Sequence, residues 1–256
     1  ALERRAAGAR GDALHWGMSV AVLAGDLAFA LSDTLLLSSG FPPSRLAEAT
    51  GIVHDMRIRA VTGQYLDLLG AGRAIAEAGE VRRIARLKTA AYSVEGPLLI
   101  GASLNGAPEA LRRRLRAYGA AIGEALQLRD DLIGMFGDPQ QTGKDAHTDV
   151  RQGSPTMLLA EALRLGGPEQ RRVILELWGR EGLGPQEVEA VRTAIAATGA
   201  PEATVALIDD LVSQAAAALD PVAFGGAAPV PDEAHGVLDA LARLVAHGAA
   251  VDAAVS

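Results

Sequence analysis

The chain has 256 residues, a net charge of −7, no cysteine and only 4% aromatic side chains. Without cysteine, neither a disulfide framework nor a thiolate metal site can form, and a reducing cytoplasm is the simplest location. The acidic charge and the few aromatic rings disfavour nucleic-acid binding, which relies on basic patches and base-stacking platforms. An acidic protein that binds phosphate needs a local arrangement for it, such as metal ions or a few lysines.

Apolar residues recur at helical spacing along almost the whole chain, and no alternating run of β-branched residues indicates a strand. The sequence therefore predicts an all-α protein. Glycine and proline clusters such as SSGFPPS, GAG and LNGAP separate the helical segments. The predicted helices cover about 12–37, 54–70, 80–104, 108–137, 149–165, 169–181, 185–198, 201–219 and 232–246.

The first predicted helix contains MSVAVLAGDLAFALSDTLLL at 18–37, which has the length of a membrane span. Asp26 and Asp33 interrupt this apolar segment, and carboxylates are costly within a bilayer. We therefore predict a core or interface helix and no membrane span. The first 12 residues lack the apolar stretch and cleavage site of a signal peptide, so the chain is expected to begin in the middle of a protein.

Charged residues of two predicted helices are expected to face the core. The apolar stripe of helix 108–137 runs through Leu111, Leu115, Tyr118, Ile122, Leu126 and Ile133. At about 100° per residue, Asp130 lies about 40° from Leu126, so its carboxylate is predicted to point inward. Gln127 and Asp131 lie on the flank of this stripe. In helix 80–104, Lys88 lies about 40° from Ile84 and is predicted to point inward as well.

An ionised group that faces a core costs several kcal/mol unless it is paired or bound to a metal. One explanation is a buried salt bridge between Lys88 and Asp130, or a solvated helix end for the acid pair. The alternative is a site in which carboxylates hold Mg²⁺ while Lys88 and Lys144 contact the phosphate groups that the metal bridges. Asp209 and Asp210 form another acid pair, which is assigned to a solvated face because no Gly-Asp or Gly-Lys follows it.

Four segments together resemble the trans-isoprenyl diphosphate synthases, especially the actinobacterial type. QLRDDLIGMFGDPQQTGKDAHTDVRQG at 127–153 resembles the second aspartate-rich region of that family. HWGMSVAVLAGDLAFALSD at 15–33 resembles its interface helix, GQYLDL at 63–68 its Gly-Gln motif, and ARLKTAAYSVEGPLLIGA at 85–102 its Lys-Thr motif. These motifs occur in the family's order over nearly the whole chain.

The resemblance implies one helical bundle around a central cavity, formed as a single domain by residues 1–256 and usually assembled as a homodimer. It implies a cytoplasmic prenyltransferase that uses Mg²⁺ and joins an allylic prenyl diphosphate to isopentenyl diphosphate. Metal-assisted departure of pyrophosphate leaves an allylic cation, which the double bond of isopentenyl diphosphate attacks. Proton loss then gives a longer trans-polyprenyl diphosphate. No nucleic acid is expected as a partner.

The resemblance also assigns roles to individual positions. The metal ligands would be Asp130, Asp131 and Asp138. The substrate diphosphate would be bound by Lys88, Lys144 and Gln64. The residues with catalytic or supporting roles would be Lys88, Thr89 and Gln127, and Asp67 would line the site.

Some positions depart from the family pattern. Gly134 replaces the acid that completes a DDxxD motif in many relatives, and Ser154 and Pro155 replace a basic pair before Thr156. The family's first aspartate-rich motif is absent from the sequence, so we expect the chain to lack N-terminal helices that precede Ala1. A class I terpene cyclase and a non-catalytic partner subunit of a prenyl synthase remain alternative interpretations.

Overall fold

The computed structural model describes residues 11–73, 77–137, 148–220 and 230–247. Within these ranges all regular secondary structure is helical, so the predicted all-α class is confirmed. A π-helical segment covers Arg86–Glu95. The helices are α1 (Ala13–Leu37), α2 (Pro43–Gly70), α3 (Ala78–Ala85), α4 (Gly96–Leu104), α5 (Glu109–Phe136), α6 (Thr148–Gln152), α7 (Met157–Leu165), α8 (Pro168–Leu177), α9 (Pro185–Ala196), α10 (Ala200–Leu219) and α11 (Asp232–His247).

Three predicted segments differ from the structure. Helix α2 begins at Pro43 rather than near residue 54, because Gly51 is accommodated inside the helix and proline suits a first helical position. The predicted helix 80–104 contains the π-helical segment. The predicted helix 149–165 is divided into α6 and α7 by Gly153, whose φ of 70° is incompatible with a right-handed helix.

Polar caps and prolines determine where several helices begin. The Asp12 Oδ1 atom accepts the Leu14 N–H at 2.8 Å at the start of α1. Thr156 Oγ1 accepts the Leu159 N–H at 3.2 Å at the start of α7. Both bonds satisfy backbone donors that have no partner inside a helix. A proline occupies the first turn of α4, α8, α9 and α10, where its missing N–H removes no helical bond.

The chain divides into two compact units, Ala1–Gly51 and Ile52–Ser256, and the expectation of one domain stays a prediction. In the first unit, α1 exposes large apolar side chains, so it is not a core helix of this chain and the interface interpretation remains. Within the described ranges, α1 is the one helix long and apolar enough to cross a membrane by length and composition. Its exposed apolar residues include Leu14, Met18, Val22, Leu23, Leu27, Phe29, Leu31 and Leu35.

The core of the second unit is organised around α5. This helix packs against α10, the π-helical segment, α4 and α11. Its completely buried side chains include Tyr118, Ile122, Leu128 and Leu132. Burial of one such side chain contributes roughly 1.5–3 kcal/mol. Helix α5 is therefore a well-anchored support for any side chain that it directs into a site.

Two buried arginines of α5 bind the ends of neighbouring helices. Arg114 donates from Nη2 to the carbonyl oxygen of Leu219, the last residue of α10. Arg129 donates from Nη1 to the carbonyl oxygens of Leu244 and, at 2.7 Å, Val245 near the end of α11. The last carbonyl groups of a helix lack helical partners and carry partial negative charge. The two guanidinium groups satisfy them and fix α10 and α11 against α5.

Three glycines with left-handed backbone pack together where the end of α2, the end of α8 and the turn between α6 and α7 meet. Gly72, Gly153 and Gly179 have φ values of 74°, 70° and 71°, which glycine adopts without a steric penalty. Gly72 N donates to Gly153 O at 3.0 Å. A Cβ placed on Gly153 would lie 2.9 Å from the Cα of Gly179. This glycine junction holds the turn 153–156 beside the end of α2.

Candidate active site

One cleft of the second unit is lined by Lys88, Gln127 and Asp131, three of the residues for which the sequence predicted a role. Its walls come from α2, α3, the π-helical segment, α5, α6 and the turn 153–156. Asp138 and Lys144 lie outside the described residues, so their roles stay predictions. The polar residues that line the cleft are Asp67, Lys88, Gln127, Asp131, Asp149, Ser154 and Thr156.

Lys88 lies in this cleft and forms an ion pair with α2. Its Nζ atom is 2.7 Å from Asp67 Oδ2, and the two side chains are 32% and 17% exposed. The ion pair that the structure shows is therefore with Asp67 and not with Asp130, the partner considered from the sequence. Gln64 is exposed, and its Nε2 lies 3.4 Å from the same oxygen of Asp67. Because the pair is only partly buried, the ammonium group remains accessible to an anionic ligand.

Thr89, Gln127 and Asp131 form a continuous hydrogen-bonded chain. Thr89 Oγ1 donates to Gln127 Oε1, and Gln127 Nε2 donates to Asp131 Oδ1 at 2.7 Å. Thr89 is buried and Gln127 is half-buried. The Gln127 amide thus connects the π-helical segment to a carboxylate of α5. The catalytic or supporting role of these two residues stays a prediction.

The orientation predicted for the acid pair on α5 is wrong. Asp130 is exposed, whereas Asp131 is buried, with 8% of its surface exposed. The buried face of α5 continues from Ile122 to Leu128, while Leu126, on which the prediction depended, is only half-buried. Successive residues of a helix are rotated by about 100°, so a phase error of one residue exchanges the two carboxylates.

The Asp131 carboxyl group is buried, and other carboxylates lie near it. Burial raises its pKa well above the usual range, and the negative charge of Asp149 raises the pKa further. The hydrogen bond from Gln127 and the positive charge of Lys88 lower the pKa and so oppose this shift. Two carboxylates that repel each other at a buried position favour a neutralising cation.

Asp149 is a cleft residue to which the sequence had given no role. It belongs to α6 and is half-buried. A Cβ placed on Gly134 would lie 3.5 Å from Asp149 Oδ2. The Asp149 carboxylate therefore lies beside the position at which the DDxxD pattern has its third acid. The sequence feature that could have pointed to Asp149 is its place shortly after the Gly-Lys pair, in TDVRQG.

The family model described as polyprenyl synthetase matches residues 4–197. The chain belongs to the polyprenyl synthetase family. This polyprenyl synthetase chain is 32% identical to the (2E,6E)-farnesyl diphosphate synthase of Mycobacterium tuberculosis over 187 residues, 72% of the chain and 51% of that protein. It is 31% identical to the geranylfarnesyl diphosphate synthase of Aeropyrum pernix over 167 residues, 64% of the chain and 51% of that protein. The chain spans about half the length of these relatives.

Solved structures agree with the family assignment. A geranylgeranyl pyrophosphate synthase from Corynebacterium glutamicum, complexed with isoprenyl diphosphate and magnesium, has a TM-score of 0.89 and 36% identity over 96% of this chain and 68% of that one. A polyprenyl synthase from Caulobacter crescentus CB15, complexed with calcium and isoprenyl diphosphate, has a TM-score of 0.80 and 27% identity over 92% of this chain and 68% of that one. The resemblance to trans-isoprenyl diphosphate synthases is confirmed.

The donor atoms in the cleft suit a hard divalent cation. Among the residues that the structure describes, no group of three or more Asp, Glu, His or Cys side chains is arranged to hold a metal. Mg²⁺ usually takes one or two protein carboxylates and completes its coordination with water and phosphate oxygens. Asp131 and Asp149 supply mutually repelling carboxylates of this kind. The residues present therefore fit Mg²⁺ bound together with a diphosphate.

Proposed function

We propose that this chain forms the metal-binding and diphosphate-binding part of a Mg²⁺-dependent trans-prenyltransferase. The reaction joins an allylic prenyl diphosphate to isopentenyl diphosphate and gives a longer trans-polyprenyl diphosphate. The observation that carries the proposal is one cleft in which Lys88 lies with the buried Asp131 and its neighbour Asp149. The Corynebacterium glutamicum relative, complexed with isoprenyl diphosphate and magnesium, supports this choice of ligand.

Lys88 binds a diphosphate oxygen of the allylic substrate. Its ammonium group is held in the cleft by Asp67 at 2.7 Å, and a lysine has three donors, so it can contact phosphate without losing this partner. Lys144 and Gln64 contribute further contacts to the same diphosphate. The two lysines, Lys88 and Lys144, also give an acidic protein the local positive charge that phosphate binding requires.

Asp130, Asp131 and Asp138 would hold the metal, and the Asp149 carboxylate, which raises the pKa of Asp131, would add negative charge to the same site. When bound, Mg²⁺ supplies positive charge that stabilises the departing pyrophosphate. The Gln127 side-chain amide donates to Asp131 Oδ1 and accepts a hydrogen bond from Thr89, and these two bonds keep the carboxylate in one orientation. A fixed ligand of this kind needs no reorganisation when charge develops on the leaving group.

The carbon chemistry follows from release of pyrophosphate. The allylic C–O bond breaks and both electrons remain on the departing oxygen, which leaves an allylic cation. The double bond of isopentenyl diphosphate supplies the electron pair for the new C–C bond. Loss of a proton from the resulting cation, with the released pyrophosphate as the base that accepts it, restores a double bond.

The active protein is proposed to be a cytoplasmic homodimer in which α1 lies at the interface. The support is the row of exposed apolar side chains on this helix, which a second copy would cover. Asp26 and Asp33 oppose the membrane alternative, because charged groups are costly in a bilayer. Sedimentation velocity without detergent should show a dimer. A monomer that associates with lipid vesicles would contradict this part of the proposal.

The enzymatic proposal is tested with the protein as its gene encodes it, supplied with Mg²⁺, radiolabelled isopentenyl diphosphate and an allylic diphosphate. Asp131→Asn should lower kcat/KM by roughly 100-fold or more, because a ligand of the departing-group site is lost. The matched control is Asp209→Asn, an exposed acid on α10. Equal effects of the two substitutions would contradict the site. Cyclic hydrocarbon made without isopentenyl diphosphate would favour a class I terpene cyclase, and no turnover by the wild type would favour a non-catalytic subunit.

A further inference from the structure

Glycines of two helices approach the backbone of the π-helical segment unusually closely. A Cβ placed on Gly63 of α2 would lie 2.6 Å from the Cα of Lys88 and 2.7 Å from the carbonyl carbon of Leu87. A Cβ placed on Gly123 of α5 would lie 2.5 Å from the Cβ of Ala90 and would also collide with its Cα. Neither position has room for a side chain.

These glycines are not explained by a need for unusual backbone angles. Both lie inside long helices, where glycine is less favourable than alanine because it loses more conformational freedom on folding. What they permit is contact between the helix backbones and the segment. π-Helical turns are uncommon and often occur at functional sites, and this one carries Lys88 and Thr89.

Each glycine lies one helical turn before a cleft residue that contacts the segment. Residues at i and i+4 lie on the same face of a helix, which relates Gly63 to Asp67 and Gly123 to Gln127. Asp67 pairs with Lys88, and Gln127 accepts from Thr89. On each of the two helices, the close glycine contact with the segment is therefore followed, one turn later, by a polar contact with the segment.

We propose that Gly63 and Gly123 are positioning residues that hold the π-helical segment between α2 and α5 and so place Lys88 and Thr89 in the cleft. This glycine clamp rests on the proposed function for its link to diphosphate. An added methyl group would meet backbone atoms, which no change of side-chain rotamer can move away. The segment itself must shift, and Lys88 and Thr89 shift with it.

Gly119 provides a matched control for the clamp. A Cβ on this residue of α5 would lie 2.6 Å from the Cα of Glu95, a clash of similar severity. Glu95 is the last residue of the segment and is paired with Arg59 at 2.7 Å, away from the cleft residues. Gly101 of α4 provides a second control, because a Cβ there would meet nothing within 4 Å.

The experiment compares the alanine variants of these four glycines in the protein as its gene encodes it. Titration calorimetry with inorganic pyrophosphate and Mg²⁺ measures binding without turnover, and steady-state assays separate KM from kcat. Gly63→Ala should weaken pyrophosphate binding and raise the KM for the allylic diphosphate by about tenfold or more, since displacements near 1 Å have effects of this size or larger. Gly123→Ala should chiefly lower kcat, because it displaces Thr89 from Gln127. Gly119→Ala should lower the Tm without these changes, and Gly101→Ala should resemble the wild type.

The outcomes distinguish the clamp from the proposed function. Pyrophosphate affinity and kinetics equal to those of the wild type in folded Gly63→Ala and Gly123→Ala would overturn the clamp. So would the same functional losses in Gly119→Ala. If one of the two clamp variants does not fold, the comparison of the other one with Gly119→Ala decides. If neither clamp variant folds while Gly119→Ala does, the result counts against the proposal. Absence of prenyl transfer by the wild type would instead overturn the proposed function, while pyrophosphate binding would still test the clamp.

Discussion

Lys88→Gln separates a substrate-binding lysine from a structural one. The substitution removes the ammonium group that lies 2.7 Å from Asp67 and keeps much of the side-chain length. With 32% and 17% of the two side chains exposed, the pair resembles a surface ion pair more than a buried one. Its loss should therefore cost about 1 kcal/mol or less. For a protein of this size, the Tm should fall by at most roughly 2–4 °C.

The expected kinetic effect is larger than the effect on stability. Hydrogen bonds to charged groups contribute about 1.5–3 kcal/mol, which corresponds to a loss of about 10- to 150-fold in kcat/KM for the allylic diphosphate. Most of the loss should appear in KM if Lys88 binds the diphosphate equally in the ground state and the transition state. The assay is steady-state prenyl transfer at saturating isopentenyl diphosphate, with a thermal melt of the same preparation.

Asp67→Asn is the matched control for this prediction. It breaks the same ion pair and should lower the Tm to a similar extent, but it leaves the ammonium group free to meet phosphate. Its loss of kcat/KM should therefore be much smaller than that of Lys88→Gln. A fall in stability of about 3–5 kcal/mol in Lys88→Gln, with unchanged kinetics, would refute the reasoning and show a purely structural lysine.

Two further predictions concern stability. Gly153→Ala should destabilise the protein by at least about 2 kcal/mol, because it adds a collision at the glycine junction to left-handed strain of about 1–2 kcal/mol. Gly182 has a φ of 75° and nothing within 4 Å of an added Cβ, so Gly182→Ala should show the strain alone. Equal urea midpoints for the two variants would contradict the role of the junction. Burial, with a smaller contribution from Asp239, raises the pKa of Tyr118 to about 12. The pKa of tyrosine in the unfolded chain is near 10. The stability that this pKa difference contributes is therefore complete below about pH 10, and it declines by about 1.4 kcal/mol per pH unit until about pH 12. Tyr118→Phe loses the 2.6 Å hydrogen bond from the Tyr118 hydroxyl to Leu238 O, so it should be less stable than the wild type at pH 8. Its stability should nevertheless fall less steeply above pH 10. If the stabilities of the two proteins, measured by urea unfolding, fell in parallel with pH, Tyr118 would not be the group that titrates.

The helix positions could be predicted from the sequence because local features determine them. Proline, glycine and polar caps mark most of the ends, and apolar spacing marks the interiors. The π-helical segment could not be predicted in this way. Its hydrogen bonds join residues i and i+5, and its apolar residues fit an ordinary helix as well. Contacts with Gly63 and Gly123, which are distant in sequence from the segment, accompany this geometry.

The residues of the cleft were predicted better than their partners. The inward direction of Lys88 follows from its place beside Ile84, and both residues line the cleft. The contact with Asp67 is a tertiary one, between α2 and the π-helical segment, so the pattern within a single helix carries no information about it. Asp149 escaped notice for a similar reason, since its proximity to Asp131 depends on how α6 packs against α5.

The wrong prediction that Asp130 rather than Asp131 points inward has a more specific cause. The predicted stripe on α5 followed bulky apolar residues, but this helix is surrounded by several elements and its buried surface also contains small residues. Gly123, Gln127 and Asp131 are spaced by four and so lie along one side of the helix. Gly123 touches the π-helical segment, Gln127 bonds to it, and Asp131 continues the same row into the cleft. In α5 the glycine at 123 marks the face of closest backbone contact, whereas Leu126 is only half-buried, and the face that Gly123 marks carries the buried carboxylate of Asp131.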